Sequence, residues 1–488
     1  MKARLMYRDR DFIPDKERIS ASGELIADLE LKPVISAMAG SSSLISEVCT
    51  AALVSPLQDI SEIEYRQAVL LDCLEHPKVL RRLCDICTET ESRRRSSWYM
   101  LSSRWLTSTF SSAVELLKLY TDMLKELRDA ADRNAECFKS EGFRNFFAML
   151  RRELPDEYFA EISRLLSELR DGSGALVSAR FGIYVQGVSY VMRRKNKSGF
   201  RRRWFFAPMY TVPERDDAGA SDLLKRRERA INESANALAQ AAEHLEGFFA
   251  MLRTELAFYA GCLNLSEKMQ ELGLPMSVPE ILPVSGQKRE WKGLCDLSLA
   301  LIKNSRVVSN ELSSDGKRLY IITGANQGGK TTFLRSMGQA QLMAQSGMFV
   351  CAEKFTAPMR LKVFTHFKKE EDSSMRSGKL DEELSRMSGI AGQLCPGCMI
   401  LFNESFASTN EREGSMIMGQ ICRALAENGI EIFSVTHLYS YASAFLECPY
   451  VFYLRAQRLE NGERSFRILP GKPLETAFGE DLYKKIFG

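Results

Sequence analysis

The sequence predicts a multidomain chain: a helical region carrying a small β-containing insertion, followed by an α/β domain built around a parallel sheet and a phosphate-binding loop. Three observations lead there. Residues 56–169 keep apolar side chains three and four positions apart with few glycines or prolines, which is the helical period. β-Branched and aromatic residues then cluster from Ala175 to Val191, with the partial alternation of strands. Beyond Pro283, short apolar runs alternate with helical stretches, the arrangement of a parallel α/β sheet.

Taken in order, residues 1–55 give no definite structural reading. In the helical region, Ile60, Ile63, Leu70, Leu71 and Leu74 form one apolar stripe, and Val114, Leu117, Tyr120, Leu124 and Leu127 form a later one. Such stripes are helix-packing surfaces. Gly172-Ser-Gly174 ends this texture and the strand-like segment follows. It leads into a basic cluster, Arg193, Arg194, Lys195, Lys197, Arg201, Arg202 and Arg203, that runs into Trp204, Phe205 and Phe206. Two readings stay open for that cluster: phosphate contacts to nucleic acid, or a solvated hairpin tip whose charges contact nothing. Asp216 to Leu272 is rich in Ala, Leu, Glu and Arg and reads as one long spacer helix. The proline-rich break Gly273–Pro283 marks the best domain boundary. The expected division is therefore 1–55, 56–272 with the β-containing insertion near 173–215, and 280–488. Candidate strands in the last part are Leu319–Thr323, Met348–Ala352, Leu361–His366, Met399–Phe402, Ile430–Thr436 and Tyr450–Leu454.

Bulk properties narrow the function classes. The chain has 488 residues, 45% hydrophobic and 26% charged, the balance of a water-soluble protein with ample core. No run reaches bilayer-spanning length and the start has no secretory signal, so no membrane role and a cytoplasmic location are expected. A net charge of +3 makes any nucleic-acid footprint local. Twelve cysteines without a disulfide-like framework fit a reducing compartment. Cys84/Cys87 and Cys395/Cys398 have the spacing of zinc half-sites, but they lie far apart and the second pair sits in a turn before a strand, which favours ordinary thiols.

The chemistry concentrates in three strand ends. Gly324, Ala325, Asn326, Gln327, Gly328, Gly329, Lys330, Thr331 and Thr332 form a complete phosphate-binding loop between an apolar strand and a helix. Its glycines let backbone N–H groups curl around phosphate oxygens at a helix N-terminus, and Lys330 can reach the terminal phosphates while Thr331 ligates Mg²⁺. A nucleoside triphosphate is the expected ligand. The run Met399–Phe402 ends at Asn403 and Glu404, where a carboxylate can orient the attacking water and the neutral Asn403 amide can hold a magnesium-bound water. Ile432–Val435 ends at Thr436 and His437, a histidine that can hydrogen-bond the γ-phosphate or the water.

These residues carry a family resemblance. Thr323–Thr332 resembles the nucleotide loop of the MutS mismatch-repair ATPases, TGPNxGGKS/T-T. Phe402–Gly414 is similar to their DEIGRGTSTYDG segment, with Glu404, Thr409 and Gly414 matching, and Val435-Thr-His437 is similar to their ATH motif. Phe349–Ala352 and Val363–Thr365 echo two intervening strands, and Phe466–Gly471 with Phe478-Gly479 resembles the closing hairpin and helix. Upstream, Glu62–Gln67 is similar to the start of the family's helical core.

The resemblance implies an ATPase domain of the ABC/MutS type preceded by lever and clamp helices, with Arg193–Arg203 near a clamp tip. It implies a homodimer in which Ser408, Thr409 and Asn410 of one copy face the γ-phosphate held by the other, DNA as partner, and a repair or recombination protein as a further partner. It identifies Glu404, His437 and Lys330 as catalytic, with Asn403 standing where the family has Asp, a change that bears on Mg²⁺ affinity and turnover. The sequence also leaves no room before the helical core for the family's mismatch-reading domain, and no terminal dimerisation or nuclease segment is expected. The reading is an ATP-gated clamp on DNA; the alternative is a slow ATP-switched clamp on a protein.

Overall fold

The computed structural model describes residues 1–96, 106–170, 176–184, 186–193, 211–369, 378–459 and 464–474. By its internal contacts the chain falls into two compact units, each treated by itself below. The first comprises Met1–Ala3, Arg81–Phe138 and Phe143–Arg253, and the second Arg4–Leu80, Lys139–Gly142 and Thr254–Gly488.

Four short helices open the chain, α1 (Lys16–Ala21), α2 (Gly23–Asp28), α3 (Leu31–Ala39) and α4 (Ser43–Val54). They belong to the second unit, so residues 1–55 acquire a definite structure that the sequence did not reveal. α5 (Ile60–Glu75), α6 (Pro77–Ser96), α7 (Leu106–Asn134), α8 (Glu141–Glu153) and α9 (Asp156–Arg170) follow, in the region of helical periodicity. Of the first stripe, Ile63 and Leu70 are buried while Leu71 is exposed; Val114, Leu117, Tyr120, Leu124 and Leu127 are all buried. Next come the antiparallel strands β1 (Leu176–Phe181) and β2 (Gly187–Arg193), the expected small β insertion. α10 (Asp217–Glu271) is a single helix of 55 residues. Among the described residues no helix is long and apolar enough to cross a membrane.

The remaining elements are β3 (Glu280–Leu282), β4 (Arg289–Leu294), α11 (Leu297–Lys303), β5 (Asn310–Ser314), β6 (Leu319–Thr323), α12 (Lys330–Gln345), β7 (Lys354–Pro358), β8 (Val363–Phe367), α13 (Lys379–Ala391), β9 (Met399–Asn403), α14 (Glu411–Glu427), β10 (Glu431–Val435), α15 (Tyr439–Ser443), β11 (Val451–Arg458) and β12 (Arg464–Pro470). Six of these strands form one sheet in the order β12-β11-β6-β10-β9-β8, parallel except for the edge strand β12. Every residue of β6 and β10 is buried, as expected for central strands of a parallel sheet. Tyr320 of β6 stacks on Phe433 of β10 with ring centroids 4.1 Å apart.

A second sheet, β3-β7-β4-β5, is joined to the first through buried charge. Glu431, at the start of β10, receives Arg289 Nη2 at 2.6 Å and Arg360 Nε at 2.9 Å, and Arg289 also donates to Gln341 of α12. Both guanidinium groups hold the Glu431 carboxyl below its usual range although burial opposes this. This sheet corrects one sequence expectation. Met348–Ala352 is buried but is not a strand; only Val350 bridges, to Ser277, and the ladder forms at Lys354–Pro358 instead.

The N-terminal segment covers α12. Leu57 N–H donates to Gln345 O at 2.9 Å, Ser346 Oγ donates to Ala52 O at 3.0 Å, and Arg66 Nη1 donates to Ser346 O at 3.1 Å. A Cβ at Gly338 would meet Leu29 at 2.7 Å and Leu401 at 2.8 Å, so this helix lies pressed between the N-terminal segment and the sheet. Fourteen of its sixteen residues are buried, which fixes the orientation of the loop that precedes it.

Candidate functional site at the strand ends

Parallel register brings the three sequence-predicted strand ends together. Val435 pairs with Ile322 on one side and with Asn403 on the other, so β6, β10 and β9 finish level with one another. The loop Gly324–Gly329, the Asn403-Glu404 step and Thr436-His437 all leave this one edge. In open α/β sheets ligands sit at such carboxyl-terminal edges.

The loop curls because three of its residues take left-handed backbone: Gly324 at φ 117°, Gln327 at 59° and Gly329 at 88°. Glycine at two of them removes the steric cost. A Cβ at Gly328 would meet Ala456 Cβ at 2.8 Å and Ala325 O at 2.9 Å, so the β11–β12 hairpin leaves room for backbone only. Asn326 and Gln327 are exposed, while Thr331 and Thr332 are half-buried in the first turn of α12. A cleft of about 260 Å³ runs alongside, lined by Gly324, Ala325, Arg455, Gln457 and Arg458 among others.

Lys330 is 5% exposed and folds over its own loop, donating to Gly324 O at 3.0 Å and Ala325 O at 3.1 Å. Burial lowers its pKa to about 8; the nearby Glu404 pulls the other way and Arg464 adds to the lowering. A buried cation above a cradle of backbone at a helix N-terminus suits a polyphosphate. Thr331 Oγ1 donates to Asn403 Oδ1 at 3.0 Å, placing two neutral oxygens side by side. That donor set fits Mg²⁺, a cation that takes oxygen ligands and keeps several waters.

Glu404 follows β9 with φ 54° and is tied by its N–H to Val435 O at 2.9 Å. Its Oε1 lies 2.8 Å from His437 Nε2, joining the two strand ends directly. The His437 hydrogen bond holds the Glu404 carboxyl below its ordinary range against burial, with Lys330 and Lys368 assisting. Glu404 is therefore ionised at neutral pH and is held by a group that can position it.

The segment after Glu404 is organised from beneath by residues the sequence did not single out. Glu383 of α13 accepts from Phe406 N–H and from Ser408 Oγ. His366 Nδ1 lies 2.7 Å from Ser405 Oγ, and its Nε2 lies 3.1 Å from Glu383 O. Burial and then Arg386 push the His366 pKa down to about 4, so it is neutral. Thr409 Oγ1 donates to Glu413, and Asn410 caps α14 by accepting Glu413 N–H at 3.0 Å. A Cβ at Gly414 would stand 2.5 Å from Phe406 O, which accounts for the glycine there. Ser408, Thr409 and Asn410 are thus each engaged within their own chain.

Of the basic cluster, Arg193 alone is among the described residues. Arg193 ends β2, where its Nε donates to Ser178 Oγ at 2.9 Å. Arg194, Lys195, Lys197, Arg201, Arg202 and Arg203 lie outside the described residues. Cys84 and Cys87 belong to the first compact unit and Cys395 and Cys398 to the second; among the described residues no group of three or more His, Cys, Asp or Glu side chains has the geometry to hold a metal. The terminal helix expected near Phe478-Gly479 also falls outside the described residues.

Comparison with known proteins matches two domain families along the chain. Residues 58–272 match the MutS2 N-terminal domain family and residues 320–466 match MutS domain V. Endonuclease MutS2 of Thermus thermophilus is 24% identical over 345 residues, covering 68% of this chain and 44% of that protein. Endonuclease MutS2 of Pediococcus pentosaceus is 32% identical over 139 residues, 28% of this chain and 18% of its own length. The DNA mismatch repair protein MutS of Thermotoga sp. RQ2 is 31% identical over 131 residues, 27% of this chain and 16% of that protein. The chain thus spans less than half the length of each of these relatives. With two domain families matched in order along it, this chain belongs to the MutS superfamily.

Proposed function

We propose that this protein binds and hydrolyses ATP with Mg²⁺, and that two copies use the nucleotide to close around DNA during repair or recombination. The observation that carries the reading is the convergence of Lys330, the Thr331–Asn403 pair and the Glu404–His437 pair on one edge of the parallel sheet. Lys330 and the N–H groups of the glycine-rich loop hold phosphate charge, Lys330 turning from its loop carbonyls to the anion. Thr331 and, through water, Asn403 would hold Mg²⁺, which would supply positive charge beside the phosphates. Glu404 accepts the proton of the attacking water, while His437 fixes the carboxylate by its 2.8 Å hydrogen bond.

Ser408, Thr409 and Asn410 are the residues proposed to meet the γ-phosphate held by the second copy; Glu383 and Glu413 pre-form their loop. Residues 56–272 are the proposed lever and clamp, and 280–488 the ATPase domain. DNA as the target rests on the names of the relatives, a DNA mismatch repair protein among them, and on the basic cluster 193–203. A second reading, slow hydrolysis that switches a clamp on a protein, is favoured by the neutral Asn403 and the net charge of +3.

Steady-state ATP hydrolysis with duplex, single-stranded and branched DNA at two salt concentrations, with Glu404→Gln as blank, tests the proposal. Stimulation by one DNA form that fades with salt supports the DNA clamp. Turnover indifferent to every DNA removes DNA from the mechanism, and no turnover above the blank removes hydrolysis.

A further inference from the structure

The turn before β9 holds a pair of thiols unused by the strand-end site. Cys395 Sγ and Cys398 Sγ lie 3.4 Å apart. Cys395 is exposed and Cys398 is buried. Pro396 and Gly397 separate them, with Gly397 at φ 88° and Cys398 N–H donating to Cys395 O at 3.0 Å. Proline second and a left-handed glycine third is the pattern of a type II turn, whose ends approach within about 7 Å. A disulfide tolerates that span.

The backbone around the pair is already pinned. Gly397 N–H donates to Gly429 O at 3.1 Å and its carbonyl accepts Leu361 N–H at 3.0 Å. Cys398 O accepts Glu431 N–H at 3.0 Å, and Met399 N–H donates to Lys362 O at 2.9 Å. The turn is therefore tied to the starts of both β8 and β10. From 3.4 Å, the two sulfurs must close by about 1.4 Å to reach a sulfur–sulfur bond of about 2.05 Å.

We propose that Cys395 and Cys398 are a reversible dithiol–disulfide couple that exchanges with small-molecule disulfides. Cys395 as thiolate attacks one sulfur of the external disulfide, forming a mixed disulfide and releasing one external thiolate. Cys398 then loses its proton to solvent and attacks Cys395 Sγ, closing the intrachain bond and releasing the second external thiolate. The protein loses two electrons and two protons, and one external disulfide becomes two thiols. The division of labour follows from access: Cys395 is exposed to an external disulfide, and the buried Cys398 thiol lies 3.4 Å behind it. Burial raises the Cys398 pKa, which keeps it a thiol until its neighbour is activated.

The full chain is incubated with oxidised glutathione, the remaining thiols are alkylated, and peptides are mapped by mass. The expected product is a 395–398 disulfide, two hydrogens lighter, with at least about tenfold less glutathione on Cys395 than in the Cys398→Ser variant, because the second thiol acts intramolecularly. Cys398→Ser is expected to keep glutathione on Cys395, and Cys395→Ser to leave Cys398 unmodified. The proposal is overturned if wild-type Cys395 accumulates as much glutathione as it does in Cys398→Ser, or if it stays reduced.

Discussion

One carboxylate oxygen of Glu383 accepts the Phe406 N–H at 2.8 Å, while the other accepts the Ser408 hydroxyl at 3.1 Å. A single side chain on α13 thereby sets the path of the segment that runs from Glu404 to the start of α14. Glu383 is 7% exposed, so water cannot readily take its place. Glu383→Leu keeps most of the volume but removes both acceptors and leaves the buried Phe406 N–H unpaired. We expect a loss of about 1–3 kcal/mol in urea unfolding and reduced turnover with nucleotide affinity retained. Wild-type stability in this variant would show that the loop holds its shape unaided.

Glu404→Gln removes the proposed base and leaves the loop around Lys330 intact. Single-turnover ATP cleavage should fall by about 10²-fold or more, with nucleotide binding by equilibrium titration little changed. Cleavage at the wild-type rate would eliminate Glu404 as the water-orienting group.

At Asn403 the expected change has the opposite sign. Asn403→Asp still accepts from Thr331 and adds the charge that draws Mg²⁺ to a carboxylate. Half-maximal Mg²⁺ for turnover should shift to lower concentration by several-fold. An unchanged Mg²⁺ titration would mean that this amide does not limit metal handling.

The Lys330 pKa of about 8 makes binding pH-dependent. Phosphate favours the charged ammonium, so affinity is full below pH 8 and declines above it, by about tenfold at pH 9 if the charged form alone binds. Without ligand the sign reverses for stability. Between about 8 and 10.5 the unfolded chain binds the extra proton, so this group adds stability as pH rises through that window. Nucleotide titrations from pH 7 to 9 measure the first effect, and a flat profile matching that of Lys330→Met would contradict it.

For the basic cluster, replacing Arg201, Arg202 and Arg203 together with alanine should weaken duplex binding. It should also lower the slope of log affinity against log salt by about 2 to 3. Fluorescence anisotropy at four salt concentrations reads both quantities. Equal slopes for variant and wild type would leave those arginines as a solvated tip.

Much of the fold was legible where physical signals were local. Leu319–Thr323 is a continuous apolar run before a glycine loop, and the strand has those same bounds. The long helix at 217–271 follows from composition and the absence of breakers. Met348–Ala352 misled because an unbroken apolar run reports burial, not pairing: Met348, Phe349, Val350, Cys351 and Ala352 are all buried in a connection. The sheet β3-β7-β4-β5 was invisible for the converse reason. β4 begins with Arg289, a residue that reads as exposed until Glu431, far along the chain, supplies its partner. The strand-end residues stand out in the sequence because motif spacing marks them, and the sheet register brings them to one edge. Glu383 and His366 were missed because nothing local separates Glu383 from Glu382 beside it; only the path of another segment makes one of them an anchor.

Glu404 and Phe406 both adopt left-handed backbone, at φ 54° and 57°, with Ser405 between them. Each such L-residue raises the energy of the native state by about 1 kcal/mol or more, and glycine would relieve it. Under the proposed mechanism a glycine at 404 would lose the carboxylate, so stability and chemistry make opposite demands on one torsion. Selection for a more heat-resistant protein without selection for ATP turnover should therefore drift toward glycine at this step, yielding a chain that folds better and no longer works.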